Sequence, residues 1–321
     1  MSNAHAPMTA QTAQAAKDTA EIIAGLQAPQ KMLSPKFFYD ERGSELFETI
    51  TEQPEYYPTR TELGILYDNI AAIGDAIGEQ ASLIEFGAGA SVKVRVLLDH
   101  LDNITVFVPV DISGDHLQLA ADELARDYPA VEVLPVAADF TRPFPLPSPK
   151  QTPARNVVFF PGSTIGNFPP EAALGLLKTM RAVAKEGGGL LIGVDLKKDP
   201  AVLERAYNDA AGITAAFNLN MLTHLNREFG ADFNVDAFEH RAIYNVELGR
   251  IEMHLISKAD QRVTIDGTTI AFTAGEYILT ECSYKYAVDD FATLAHRAGF
   301  RVQQVWTDAD QRFSLQYATS I

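Results

Sequence analysis

The chain has a single cysteine, Cys282, in 321 residues. No internal disulfide can form, and zinc sites built from several thiolates are excluded. Basic residues are scarce. The 26 Lys and Arg against 42 Asp and Glu leave a formal charge of −16. Affinity for a nucleic-acid backbone comes from Lys and Arg, so a small-molecule substrate is favoured over nucleic acid. No apolar run approaches the length of a membrane span, and Met1-Ser2-Asn3-Ala4-His5 opens no signal-peptide core. A cytoplasmic protein with no membrane partner, working as a monomer, is expected. The seven histidines show no H-x-x-x-H spacing, so no metal is expected. No Ser/His/Asp arrangement can be assigned from spacing. No internal repeat is visible. Hydrophobic residues at 47 % are enough for a core, which argues against global disorder.

The organising stretch is Leu83-Ile84-Glu85-Phe86-Gly87-Ala88-Gly89-Ala90-Ser91, followed by the helical pattern Val92 to Leu98. A buried strand, a glycine turn and a helix start make a nucleotide-binding corner. Glycine lets the backbone approach a ligand, and the helix start offers free N–H groups. Dinucleotide sites carry a third glycine. Here that position is Val92, and the acid Glu85 precedes the first glycine. Both features suit S-adenosylmethionine, which has a charged methionine end and a ribose but no pyrophosphate. A dinucleotide and a structural turn without a ligand are the alternatives.

Residues 1–17 are Ala-, Gln- and Thr-rich and are expected to fray. Helices are predicted over Asp18–Leu26, Ser44–Thr51 and Thr61–Ile73. Between the last two, Pro54-Glu55-Tyr56-Tyr57-Pro58-Thr59-Arg60-Thr61-Glu62 brackets two tyrosines with prolines and reads as a rigid loop. For any one aromatic here, ordinary core packing is the plainer role; a tyrosine pair fixed in such a loop also suits a pocket wall. From Leu83, strands alternate with helices: Leu83–Phe86, Val106–Val110, Val131–Pro135, Asn156–Phe160 and Gly189–Val194. That alternation predicts a parallel sheet covered on both faces. Arg301–Trp306 and Phe313–Ala318 form a final hairpin whose last strand is antiparallel. By analogy this is the α/β fold of class I S-adenosylmethionine-dependent methyltransferases: Rossmann-like, seven-stranded, with a smaller α+β substrate-binding domain.

Asp199-Pro200 is a helix start, after which short strands are predicted at Arg241–Tyr244, Arg250–Ile256, Thr269–Phe272 and Glu276–Ser283. The expected organisation is thus 1–60 as the first part of a substrate domain and 61–198 as the methyltransferase core. Residues 199–285 form a substrate-binding insertion or lid, and 286–321 supply the C-terminal helix and hairpin. Ligands of α/β sheets bind at the carboxyl ends of the strands.

Asp111 ends the second strand, where a carboxylate can accept both ribose hydroxyls, although Asp there is often a helix cap. Asp139-Phe140 suits adenine: a carboxylate for the exocyclic amine and a ring for packing. Lys93 can meet a cofactor carboxylate, or be a solvated surface lysine. With Gly87 and Gly89 they make up the cofactor contacts, and Gly162 and Ser163 join them from the loop Pro161-Gly162-Ser163-Thr164-Ile165-Gly166-Asn167-Phe168-Pro169. Asn167 in that loop can hold an amino or carboxyl group, or cap the helix that starts near Pro170.

Several long motifs together resemble the histidine-specific N-alpha-methyltransferases of ergothioneine biosynthesis. They are Lys36-Phe37-Phe38-Tyr39-Asp40, the Pro54–Glu62 loop, Gly162 to Asn167, Ala206 to Asn218, Arg250-Ile251-Glu252-Met253, and Leu279-Thr280-Glu281-Cys282-Ser283. The likeness runs from about residue 30 to the C-terminus. One departure is Gly87-Ala88-Gly89-Ala90-Ser91, where the family often has Gly-Ser-Gly-Thr-Ser. The resemblance implies trimethylation of the α-amine of L-histidine to hercynine. It implies that Tyr56, Asn167 and Tyr207 hold the amino and carboxyl groups and act as the catalytic clamp. Glu281 and Ser283 would hold the imidazole, with Cys282 between them. Tyr39, Phe47, Phe217 and Met253 would line the pocket. Gly87, Lys93, Asp111 and Asp139 would bind the cofactor. The rivals are an enzyme of the same family acting on another amino acid, such as a tryptophan derivative, a non-catalytic cofactor-binding module, and an NAD-dependent dehydrogenase. Val92 and the lack of an obvious hydride-transfer acid disfavour the last.

Overall fold

The structure is a computed structural model that describes residues 10–89, 92–112 and 114–321. The chain divides into two compact units: Met1–Tyr57 with Asp199–Ser283, and Pro58–Lys198 with Tyr284–Ile321. In chain order, α1 (Ala10–Gln27) and α2 (Glu41–Glu52) come first, then α3 (Pro58–Asp68), α4 (Ile70–Ile77), β1 (Ala81–Phe86), α5 (Val92–His100) and β2 (Ile104–Asp111). Next are α6 (Gly114–Asp127), β3 (Glu132–Val133), β4 (Val136–Ala137), β5 (Arg155–Phe160), α7 (Pro170–Ala184) and β6 (Gly189–Asp195). There follow α8 (Pro200–Tyr207), α9 (Ile213–Glu228), β7 (Phe238–Asn245), β8 (Arg250–Ser257), β9 (Gln261–Ile265), β10 (Thr268–Phe272) and β11 (Tyr277–Tyr284). The chain closes with α10 (Val288–Arg297), β12 (Phe300–Thr307) and β13 (Phe313–Ser320). No described helix is long and apolar enough to cross a membrane.

Three local expectations change. The fraying expected up to residue 17 gives way to helix from Ala10, because Ala and Gln there are good helix formers; residues 1–9 lie outside the described residues. The rigid loop ends sooner than predicted. Pro58 opens α3, where its fixed φ suits a first helical residue and its missing N–H costs nothing, so Thr59–Glu62 are helical. The single helix expected over Thr61–Ile73 breaks at Asn69, whose side-chain amide donates to the Ile65 carbonyl at 2.9 Å.

The larger sheet runs β12-β13-β6-β5-β1-β2-β3, with β4 also on β2. The central pairs β2/β1, β1/β5 and β5/β6 are parallel, and β13 is antiparallel to both β6 and β12. The strand expected over Val131–Pro135 is present only as two short parallel pieces, β3 and β4, against β2. Together they hold the seventh position of the predicted methyltransferase sheet. Both faces are buried. Ile84, Phe86, Val158, Phe160, Leu190 and Ile192 pack with α7 and α10, while Leu83, Val157, Phe159 and Leu191 pack with α3, α4 and α5. Alternate residues of one strand serve opposite cores, so the strands read as continuous apolar runs.

In the other unit, β11-β8-β7 form a three-stranded sheet and β9-β10 a hairpin. One core holds Phe38, Leu46 and Ile50 with Phe217, Met221, Met253 and Ile278. The α2 start explains part of the Phe38–Asp40 motif. Asp40 caps it, accepting from Gly43 N at 2.7 Å, Asn220 Nδ2 at 2.8 Å and Arg227 at 2.8 Å. Burial opposes its charge, but these bonds outweigh it and lower its pKa. Gly43 is needed because a Cβ there would lie 1.7 Å from the Phe38 carbonyl oxygen.

Candidate active site

In the sheet unit the predicted glycine corner is built as a turn over the carboxyl end of β1. Gly87 has φ +74° and donates to the Val110 carbonyl at 2.8 Å. A Cβ on Gly87 would touch the Phe140 ring at 3.5 Å; one on Gly89 would meet nothing within 4 Å among the described residues. Ala90 and Ser91, the rest of the turn, lie outside the described residues. Asp111 is half-buried at the end of β2. Phe140 packs on Phe86 at 5.6 Å and on Phe160 at 5.9 Å between ring centres. Asp139 is exposed and accepts from Thr141 N at 3.0 Å. Glu85 is buried, and its Oε2 has no hydrogen-bond partner among the described residues. Burial pushes its pKa up to about 8; Lys93 opposes the shift, and Glu62 and Asp111 add to it.

Lys93 lies at the start of α5 as expected, but its ammonium already has a partner. Nζ is 2.5 Å from Glu62 Oε2. Glu62 is fully buried and accepts from Gly162 N at 3.0 and 2.9 Å with its two oxygens. No role for Glu62 followed from sequence reasoning, which had it at the end of a loop. The available signal was an acid four residues after a helix-opening proline, inside an unusual motif. Gly162 has φ +80°, and Ser163 follows in the left-handed region at +55°. Ser163 is buried, and its Oγ accepts from Asp195 N at 2.8 Å. Asn167 is exposed at the end of a short 3-10 turn, Thr164–Asn167; the next helix begins at Pro170 behind Pro169.

Asp195, at the end of β6, is a second feature that no spacing announced. Its carboxylate takes Lys285 Nζ at 2.7 Å and Lys198 Nζ at 2.6 Å, and all three side chains are buried or nearly so. Burial opposes its charge, yet the two ammonium groups win and lower its pKa. Burial pushes Lys198 down to about 8, against the pull of Asp195.

In the other unit the aromatic residues named by the motifs converge. Phe47 lies 5.9 Å from Tyr39, 6.0 Å from Phe217 and 6.5 Å from Tyr56, between ring centres. Tyr56 meets Tyr207 edge-on at 6.2 Å, and Tyr207 OH donates to Ser283 Oγ at 3.1 Å. Tyr39 shows half its surface, yet its hydroxyl end is crowded. Burial, then the nearby Glu281 and Tyr207, push its pKa well above the ordinary value. So residues from the Tyr39, Tyr56, Tyr207–Phe217 and Glu281–Ser283 motifs share one cluster. Met253 is buried beneath it, and its carbonyl accepts from Thr280 Oγ1 at 3.0 Å. Cys282 is half-buried; burial raises its thiol to about 11, with Arg250 opposing and Glu252 adding. An uncharged thiol of this kind is no nucleophile at neutral pH. Chemically, the cluster offers an aromatic wall, hydroxyls and one carboxylate, which suits a small polar cation or amine.

Residues 18–320 match the family model described as histidine-specific methyltransferase, SAM-dependent. A Histidine N-alpha-methyltransferase of Mycolicibacterium smegmatis is 42 % identical over 304 residues, covering 93 % of each chain. That of Mycobacterium tuberculosis is 41 % identical over 305 residues, again covering 93 % of each. Ergothioneine biosynthesis protein 1 of Neurospora crassa is 32 % identical over 286 residues, covering 86 % of this chain and 32 % of that one.

Proposed function

The chain belongs to the histidine-specific, S-adenosylmethionine-dependent methyltransferases, and on that premise we propose that it trimethylates the α-amine of L-histidine to give hercynine, the first step of ergothioneine biosynthesis. The observation that carries this is the convergence of Tyr39, Phe47, Tyr56, Tyr207 and Phe217 beside Glu281 and Ser283. In this reading the sheet unit binds the cofactor and the aromatic unit binds the acceptor.

The sheet unit fits the cofactor. Among the described residues, nothing lies within 4 Å of a Cβ built on Gly89, and the buried Glu85 Oε2 has no hydrogen-bond partner. Gly87, Gly89, Gly162 and Ser163 would shape the cradle, Asp111 would take the ribose hydroxyls, and Asp139 with Phe140 the adenine. When bound, the cofactor supplies an electrophilic methyl on a sulfonium. The protein's part is to place a neutral amine in line with it, so catalysis rests largely on positioning. Tyr56, Asn167 and Tyr207 would orient the amino and carboxyl groups. An α-amine has a pKa near ~8, and an aromatic lining lowers it, so no strong base is required. The methylated products are cations, which the rings can hold through cation–π contacts of roughly 0.5–2 kcal/mol. A monomer working in the cytoplasm belongs to the same reading; the lone cysteine supports that compartment.

Incubation with methyl-labelled cofactor and each of the twenty amino acids tests the proposal. Label is expected in a trimethylated histidine. Transfer to tryptophan in preference to histidine would overturn it. Two substitutions separate the units. Asp111→Ala is expected to weaken S-adenosylhomocysteine binding by roughly 1.5–3 kcal/mol, read by calorimetry, because charge-assisted hydrogen bonds are lost. Binding of NADH in its place would defeat the cofactor assignment. Asn167→Ala is expected to raise KM for histidine far more than KM for the cofactor; equal effects would mark a folding role instead.

A further inference from the structure

Glu62 is fully buried in the sheet unit, and its carboxylate is bonded to the start of α5 and to the turn after β5. Burying a charge is costly unless it is paired and hydrogen-bonded, and here it is both. Lys93 supplies the counter-charge from the start of α5, and Gly162 N supplies the bond from the turn after β5. Two glycines are shaped around this. A Cβ on Gly193, in the centre of β6, would lie 2.0 Å from Glu62 Oε1, and one on Gly162 would lie 3.3 Å from Lys93 Nζ. The sheet therefore gives up a side chain at Gly193 to admit Glu62. A side chain at Gly162 would press on the lysine, and φ +80° disfavours one there in any case.

We propose that Glu62 is a positioning residue: it fixes the Lys93 ammonium for the carboxylate of the cofactor's methionine end and ties it to the Gly162 turn. This rests on the reading above, in which Lys93 meets that carboxylate. An ammonium has three N–H donors, and Glu62 takes one. The others stay directed by a carboxylate that is itself clamped to backbone. Without Glu62, Lys93 would sample its long-chain rotamers, and ordering them on binding would weaken the ligand.

The test compares two ligands that share a nucleoside thioether and differ only in the amino-acid end: S-adenosylhomocysteine and 5′-methylthioadenosine. Glu62→Gln keeps the shape and one acceptor for Gly162 N but not the charge that holds Lys93. Calorimetry on the full chain is expected to show S-adenosylhomocysteine bound about tenfold more weakly and methylthioadenosine within about twofold of wild type. If Glu62→Gln fails to fold, Gly193→Ala displaces the same carboxylate from the strand side, and the same selective loss is expected. Equal weakening of both ligands would show a merely structural role, and unchanged S-adenosylhomocysteine affinity would show no role; either overturns the proposal. A wild-type chain that binds neither ligand overturns the cofactor assignment itself, and the role of Glu62 with it.

Discussion

Glu281→Ala is expected to lower kcat/KM for histidine about a hundredfold, roughly 3 kcal/mol, while leaving S-adenosylhomocysteine affinity near wild type. The motivation is placement. Glu281 lies on β11 two residues before Ser283, and alternate residues of a strand point the same way. Ser283 Oγ is bonded to Tyr207 OH, and the charge of Glu281 is felt at the Tyr39 hydroxyl, so both polar groups address the aromatic cluster. An imidazole N–H offers the carboxylate a charge-assisted bond, and a serine hydroxyl can serve the other ring nitrogen as donor or acceptor. A site built to hydrogen-bond a ring rejects analogues that leave its polar groups unpaired. Phenylalanine, tyrosine and tryptophan are therefore expected to be poor acceptors. Steady-state rates on purified variant and parent decide it. A variant that methylates histidine near the parent rate would remove the main physical support for the histidine assignment.

The sheet was legible because buried parallel strands are short apolar runs, and Leu83–Phe86, Asn156–Phe160 and Gly189–Val194 carry that signal within one segment each. The glycine corner was legible because its backbone demand falls on two glycines two residues apart. The β9–β10 hairpin was half hidden: β9 has only Val263 and Ile265 as buried apolar residues among polar neighbours. The aromatic cluster was not legible from periodicity at all. Tyr39, Tyr56 and the Tyr207–Phe217 stretch come from three separate segments, and only the motif resemblance grouped them. Glu62 was hidden by local chemistry. Prolines at 54 and 58 argue for a loop, yet Pro58 serves as the first residue of a helix that carries Glu62 inward. Lys93 was recognised as a basic group near the cofactor turn, but its partner, thirty-one positions earlier, could not be read from spacing.

Asp195→Ala is expected to cost roughly 3–5 kcal/mol of stability, because removing one partner of a buried ion pair leaves the other charge uncompensated. Here two ammonium groups pair with the one carboxylate. The Lys285 and Asp195 side chains are each 1 % exposed, and Lys198 is 10 % exposed. Beside these side chains, Lys197 N donates to the Tyr286 carbonyl at 3.0 Å, and Tyr286 N to the Asp195 carbonyl at 3.1 Å. Chemical denaturation should show a lower midpoint with little change in slope. The paired replacement Asp195→Asn with Lys285→Met is expected to recover part of the loss, since the more deeply buried of the two ammonium groups is then removed with its partner. The pH dependence has a fixed sign. The folded-state pKa of Asp195 lies below its ordinary value of 3.8, so its contribution is complete above that value. It is lost as pH falls from about 4 through the lower folded-state pKa, where protonation breaks the pair. Parent and Asp195→Ala stabilities are therefore expected to converge as pH drops below about 4. A gap that persists unchanged there would mean that packing, not charge, is what Asp195 contributes.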